Sequence, residues 1–181
     1  PAGNNMTLNT GSASFIDTKG FFGNAIQFNN NGRLISQLYN NRTGNLPKTV
    51  EVFAMAARSL EGYDCLCSLN KNDSDIGSWF VFSLSGGVLD WSSNSVTRVI
   101  LNPWPSVTTA HYYAFGNDAS TIRIKIDNTT VNESTLTMTT KTDKICIGDI
   151  CEAETWYWNG WMDEFRIANY LKTNLEMNQT V

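Results

Sequence analysis

Chemistry in this chain must come from a small stock of reactive side chains: one histidine, four cysteines and 17 carboxylates among 181 residues. His111, in "TTAHYYAFG", has no serine or cysteine nucleophile beside it in sequence, and alternation predicts a half-exposed strand position next to Tyr112 and Tyr113. Cleaving a glycosidic bond takes two carboxylates at a set separation across that bond. Asp163 and Glu164 are adjacent, so in a strand they point to opposite faces and cannot share a substrate. Glu152 and Glu154 alternate but lack a third acid. The chain is expected not to be an enzyme.

Binding chemistry is better supplied. In "WNGWMDEFRI", Asp163 is predicted to share a face with Trp161, Phe165 and Ile167, while Met162, Glu164 and Arg166 take the other. A carboxylate on an apolar face must be paired, hydrogen-bonded or metal-bound. Hard oxygen ligands of that kind suit Ca²⁺, and the alternative is an Asp accepting backbone N–H bonds. The acidic loop "NKNDSD" (70–75) is a second calcium-like stretch, with ordinary solvation as its alternative. Sugars stack their apolar faces on Trp and Tyr while amides and carboxylates read the hydroxyls. The candidates are Trp79, Trp91, Trp104, Trp156, Tyr157, Trp158 and Tyr112, with Trp104 made rigid by Pro103 and Pro105, and Trp161 and Phe165 assigned to the core. Alternation forbids Trp156, Tyr157 and Trp158 from all hiding in one core.

The cysteines allow several states. In "CIGDIC" a two-residue turn at Gly148-Asp149 would place Cys146 opposite Cys151 at a non-hydrogen-bonded position, where Cα atoms approach to about 4.5 Å. A Cys146–Cys151 disulfide is the expectation; the alternative bridges Cys65 and Cys67 separately to Cys146 or Cys151. Asn-x-Ser/Thr sequons at Asn5, Asn41, Asn72, Asn128, Asn132 and Asn178 are glycosylation candidates.

The elements that must position these residues have a period of two. "TIRIKID" puts Ile122, Ile124 and Ile126 on one face and Thr121, Arg123 and Lys125 on the other, then turns at Asp127-Asn128. "WFVFSLSGGVLDW" (79–91) reads as a hairpin around Ser85-Gly86-Gly87. "TVEVFAMAA" (49–57) and "KICIGDICEAE" (144–154) are further strands. The one helical candidate is 174–178, opened by the capping box Thr173-x-x-Glu176. Many short strands joined by turns predict an all-β antiparallel sandwich in one domain, 1–181.

Four stretches in order then resemble a known family. "GFFGNAIQFNNNGRLIS" (20–36), "STIRIKIDNTTV", "KICIGD" and "WNGWMDEFRIANYLKTNLEM" are similar to successive strands of laminin-G-like, concanavalin A-like jelly-roll domains, spanning about 14–177. One position departs: Ala110 stands where the family has a Trp opening the strand before its Asp-Gly turn. The resemblance implies a two-sheet jelly roll with a short C-terminal helical turn. It also implies a binding or adhesion module, often for carbohydrate, with Asp163 helping to hold a structural Ca²⁺. The hydrolase relatives carry a Glu-x-Asp-x-x-Glu strand, which is missing here.

Composition narrows the partners. Net charge is −4 and the 13 Lys and Arg do not cluster, so a nucleic-acid footprint is absent. No apolar run approaches the ~20 residues of a membrane span. The polar opening "PAGNNMTLNTGSASF" carries no leader, so the chain reads as a mature or excised piece. Low charge, richness in Asn, Thr and Ser, and four cysteines predict an extracellular, cell-surface protein, with the sequons as candidate glycosylation sites. The expected function is a non-catalytic module binding glycan or a cell-surface protein. The rival is a structural subunit of a filament or appendage, self-associating through exposed aromatics, and a glycan hydrolase is a distant third.

Overall fold

The alternating segments fold as strands wherever one face can be buried. The computed structural model describes residues 6–16, 23–36, 47–58, 64–69, 80–85, 88–91, 97–100, 106, 108–118, 120–134, 145–149 and 157–178. The strands are β1 (Met6–Ile16), β2 (Ala25–Ser36), β3 (Lys48–Ala56), β4 (Asp64–Leu69), β5 (Phe80–Ser85) and β6 (Val88–Trp91). They continue as β7 (Thr97–Ile100), β8 (His111–Asn117), β9 (Ile122–Ile126), β10 (Thr129–Ser134), β11 (Ile145–Ile147) and β12 (Gly160–Ala168). Among the described residues the only helical element is a 3₁₀ turn, Glu176–Asn178. No helix there is long and apolar enough to cross a membrane.

All named strand pairs are antiparallel, in the order β10-β9-β8-β3-β12-β2-β11-β4-β5-β6-β7, with β1 on β2. β2 belongs to both sheets. Residues 26–28 pair with β12, whereas residues 34–36 pair with β11. β1 follows β2 along both halves, with register shifts around Thr10. A strand that bends from one sheet into the other is how a sandwich makes a corner. The result is a β-sandwich of the jelly-roll type, with a front sheet β10-β9-β8-β3-β12-β2 and a back sheet β2-β11-β4-β5-β6-β7.

The core is what alternation predicts. Val50, Val52 and Ala54 of β3, Tyr113 and Phe115 of β8, and Ile122, Ile124 and Ile126 of β9 face Leu66, Cys67, Ile145 and Ile147. The predicted hairpin joins β5 to β6 with Ser85 opposite Val88. The Asp127-Asn128 turn joins β9 to β10.

The other face of the front sheet is covered as well. Residues 169–178 run across it as a strap, and Met177 and Leu171 pack against Phe53, Tyr112 and Ala114. Gly116 permits this contact, because a Cβ there would lie 3.0 Å from the Met177 Cε and the Thr49 Oγ1. Polar groups sew the strap down. Thr49 Oγ1 donates to Tyr170 O (2.7 Å) and accepts from Lys172 N–H (2.9 Å). Arg123 donates to Lys172 O, and Lys125 to Asn174 O at 3.0 Å. Glu51 accepts from both Tyr112 Oη and Lys172 Nζ. The capping box closes as expected: Thr173 N–H donates to Glu176 Oε2 (2.8 Å) and Glu176 N–H to Thr173 Oγ1 (3.2 Å).

Two local expectations are corrected. Between Asp163 and Arg166 β12 has a bulge, with Asp163 opposite Phe53 and Arg166 opposite Glu51. The extra residue, Glu164, takes φ 51° and shifts the parity of everything after it. Met162, Phe165 and Ile167 therefore share the core face, and Trp161 does not join them. The second correction is at β11. Cys146 pairs with Ile35 on one side and Ser68 on the other. Both edges of β11 are therefore filled by β2 and β4, which leaves no edge for a hairpin strand returning across Gly148-Asp149.

Candidate functional site

The bulge in β12 and the start of β2 leave an opening between the sheets. Its floor is Ile26, Met162 and Phe165 from the front sheet with Ile147 from the back sheet, and its volume is about 170 Å³. Asn24, Asp163 and Glu164 form the rim. Each rim group has a local reason for its place. Asn24 is exposed in the turn that enters β2, after Gly23 at φ 131°. Asp163 Oδ1 accepts the Glu164 N–H at 2.8 Å, which holds the bulge. Glu164 Oε2 accepts from the exposed Arg166 guanidinium. Apolar walls with a few converging polar groups are the usual make-up of a small-ligand site.

One Asp163 oxygen is engaged as the hydrogen-bonded alternative requires, by the Glu164 N–H. Ca²⁺ takes six to eight oxygens. Here one Asp163 oxygen serves a backbone N–H, one Glu164 oxygen serves Arg166, and the floor is hydrocarbon. Among the described residues no group of three or more His, Cys, Asp or Glu side chains converges. The described donor set does not fit a calcium shell at Asp163. The 70–75 loop lies outside the described residues.

The aromatic candidates separate sharply. Trp158 is 1% exposed and belongs to the core, so it offers no stacking face to a ligand. Tyr112 is buried beneath the strap and donates to Glu51. Tyr157 is half-buried and bridges to Cys65. Trp91 ends β6, and its side chain is outside the described set, as are Trp79, Trp104 and Trp156. Cys65 and Cys67 are buried free thiols, which excludes the alternative bridges from them to Cys146 or Cys151. Burial pushes the Cys67 thiol far above its ordinary value, so it is inert as a nucleophile. Cys151 lies outside the described residues. Of the sequon asparagines, Asn128 is exposed in the β9–β10 turn and Asn132 lies in β10. Asn178 ends the 3₁₀ turn. Asn5, Asn41 and Asn72 lie outside the described residues.

His111 has partners that sequence reasoning missed. Its Nδ1 is 2.8 Å from Asp127 Oδ2, and its Nε2 is 3.0 Å from Thr109 Oγ1 and 3.1 Å from Ser106 O. A carboxylate only accepts, so Nδ1 carries a hydrogen. The carboxylate–imidazole–hydroxyl order resembles a catalytic triad, but the Thr109 hydroxyl hydrogen goes to Ser106 O at 2.7 Å. Asp127 also accepts Tyr112 N–H at 3.0 Å while holding φ 52°. The cluster clamps the turn after β9 to the start of β8. The signal was Thr109-x-His111 preceding a strand whose partner ends in Asp127.

With the geometry in view, the comparisons bear on fold. No family profile and no curated protein matches the chain. Solved structures do. Domain 4 of AbnA, a GH43 extracellular arabinanase from Geobacillus stearothermophilus, in complex with arabinotriose, is 16% identical with a TM-score of 0.76, covering 97% of this chain and 86% of that one. The receptor binding domain of botulinum neurotoxin D is 13% identical with a TM-score of 0.72, over 98% of this chain and 47% of that one. The serotype D ligand binding domain in complex with N-acetylneuraminic acid is 13% identical with a TM-score of 0.71, over 98% of this chain and 46% of that one. The chain thus spans a little under half of the neurotoxin domains. The sandwich built here is the fold those domains share.

Proposed function

We propose that this chain is a non-catalytic extracellular module that binds carbohydrate, of the laminin-G-like, concanavalin A-like kind. The observation that carries the reading is the opening beside the β12 bulge, with an apolar floor and a rim of two carboxylates and an amide. Such a combination matches a sugar, which has apolar C–H faces and hydroxyl donors at its edge. The fold is shared with domains whose complexes hold arabinotriose or N-acetylneuraminic acid, which supports the same reading. The His111 cluster is read as a structural clamp, since its hydroxyl hydrogen is committed to a carbonyl. A Cys146–Cys151 disulfide belongs to the same reading. Cys65 and Cys67 are free, and Cys146 is the described cysteine without a free thiol.

The test is a glycan array probed with the purified chain at high concentration, followed by calorimetric titration of any hit. Saturable binding to a defined glycan set is expected. A blank array overturns the carbohydrate reading.

A further inference from the structure

We infer that the opening beside the β12 bulge takes one terminal sugar ring edgewise, led by a methyl group such as a 6-deoxyhexose or an N-acetylated sugar presents. The inference rests on the carbohydrate reading and names the class of sugar.

Size sets the first limit. A cavity of about 170 Å³ is close to the apolar cavity of about 150 Å³ that accepts one benzene-sized ring. Drug-sized ligands need about 300–1,000 Å³. One six-membered ring fits, and a run of several does not. Shape sets the second limit. Ile26, Met162 and Phe165 come from the front sheet and Ile147 from the back sheet, so the opening is a slot with hydrocarbon on both sides. A flat platform takes the face of a sugar; a slot takes its edge.

The lining decides which edge leads. These four side chains either belong to the main core or pack against it, so whatever enters continues that core. The side chains of Ile26, Ile147 and Phe165 carry no donor or acceptor, and the Met162 thioether is only a weak acceptor. Equatorial hydroxyls radiate from the edge of a pyranose. One driven into this slot would lose its water without gaining a partner. A methyl group loses nothing there and gains from the burial of its apolar area. A 6-deoxy ring carries such a methyl on C5, and an N-acetyl group carries one at the end of a planar amide. The hydroxyls of the trailing edge stay at the mouth, where the exposed Asn24 amide offers a donor and an acceptor.

The experiment uses the whole chain and an array of glycans in matched pairs on one backbone. In one arm the pairs end in a 6-deoxyhexose or its 6-hydroxy parent; in the other, in an N-acetylhexosamine or the plain hexose. The methyl-bearing end of one arm is expected to bind about tenfold tighter or more than its partner, and the arm tells which methyl is read. The preferred sugar as a free monosaccharide should compete, because one ring fills the site. Ile26→Thr puts a hydroxyl on the wall of the slot and should erase most of the preference, since the parent's hydroxyl then has a partner. Asn24→Trp plugs the mouth from an exposed position and should weaken binding about tenfold or more, with an unchanged melting curve. Three results overturn this inference while leaving the carbohydrate reading standing: parents bound as tightly as methyl-bearing ends in both arms, a folded Ile26→Thr chain that keeps the full preference, or wild-type affinity in Asn24→Trp. No glycan bound by the wild-type chain overturns that reading, and this inference with it.

Discussion

Asp127 is a residue asked to do two things at once. It holds a left-handed φ of 52°, which costs a non-glycine residue about 1–2 kcal/mol, and it accepts hydrogen bonds from Tyr112 N–H and His111 Nδ1. Asp127→Gly would relieve the backbone but lose both acceptors, and Asp127→Ala loses them with no relief. We expect Asp127→Ala to cost about 2 kcal/mol in urea denaturation, more than Asp127→Gly. Gly160 is less forgiving. At φ 155° a Cβ there would run into the Met55 carbonyl oxygen and lie 2.8 Å from Ala56 Cα, so both obstacles are backbone. Gly160→Ala should cost about 3 kcal/mol or more, and wild-type stability would disprove the close approach. Two carboxyls are held below their ordinary range: Asp118 chiefly by the Ser120 N–H, and Glu176 chiefly by the Thr173 N–H. Because the folded values lie below the unfolded ones, their stabilisation is complete above the ordinary carboxylate range. It is lost as pH falls through that range to the folded values. The melting temperature should therefore drop on acidification, and less so in an Asp118→Asn, Glu176→Gln double variant.

At the scale of elements, the strap decides much of what sequence alone could not. Alternation in "TIRIKID" correctly put the isoleucines inside and Lys125 on the opposite face, but it cannot say that the opposite face is covered. Lys125 and Tyr112 are buried because residues 169–178 lie over them. The bulge defeats pattern reading for a related reason. One inserted residue, Glu164, reverses inside and outside from Phe165 onward, and nothing in "MDEFRI" marks it apart from an Asp able to hold the next N–H. By contrast the capping box and the Ser85–Val88 hairpin are local, and local chemistry survives intact in the fold. The strap itself can be weighed by mutation. Met177 is fully buried, so Met177→Ala should cost about 2–5 kcal/mol. Lys172→Met leaves Glu51 buried with Tyr112 as its remaining charge-stabilising side chain of this pair of bonds. It should cost about 3 kcal/mol, with part regained on adding Glu51→Gln. Additive losses in that cycle would show the ion pair to be incidental.

For the whole molecule, the class of fold was legible and the site was not. Period-two runs and turn residues are enough to specify a sandwich. The opening beside the bulge joins Asn24 and Ile26 to Ile147 and to residues 162–165, which no local pattern connects. A chelator should leave the melting temperature unchanged, since the described oxygens at Asp163 do not make a calcium shell; a fall of several degrees would restore the ion. The placement of β12 has a last consequence, in time rather than space. β12 lies in the middle of the front sheet, hydrogen-bonded to β3 on one side and to β2 on the other. Gly160 meets Phe28 across most of the chain's length, and contacts so distant in sequence close slowly. While the chain is being made, β2 and β3 wait with open edges until residue 168 has emerged. The front sheet is completed only once β12 has joined them, so the β1–β2 ribbon and the β3-β8-β9 layer stay separate units until that late step.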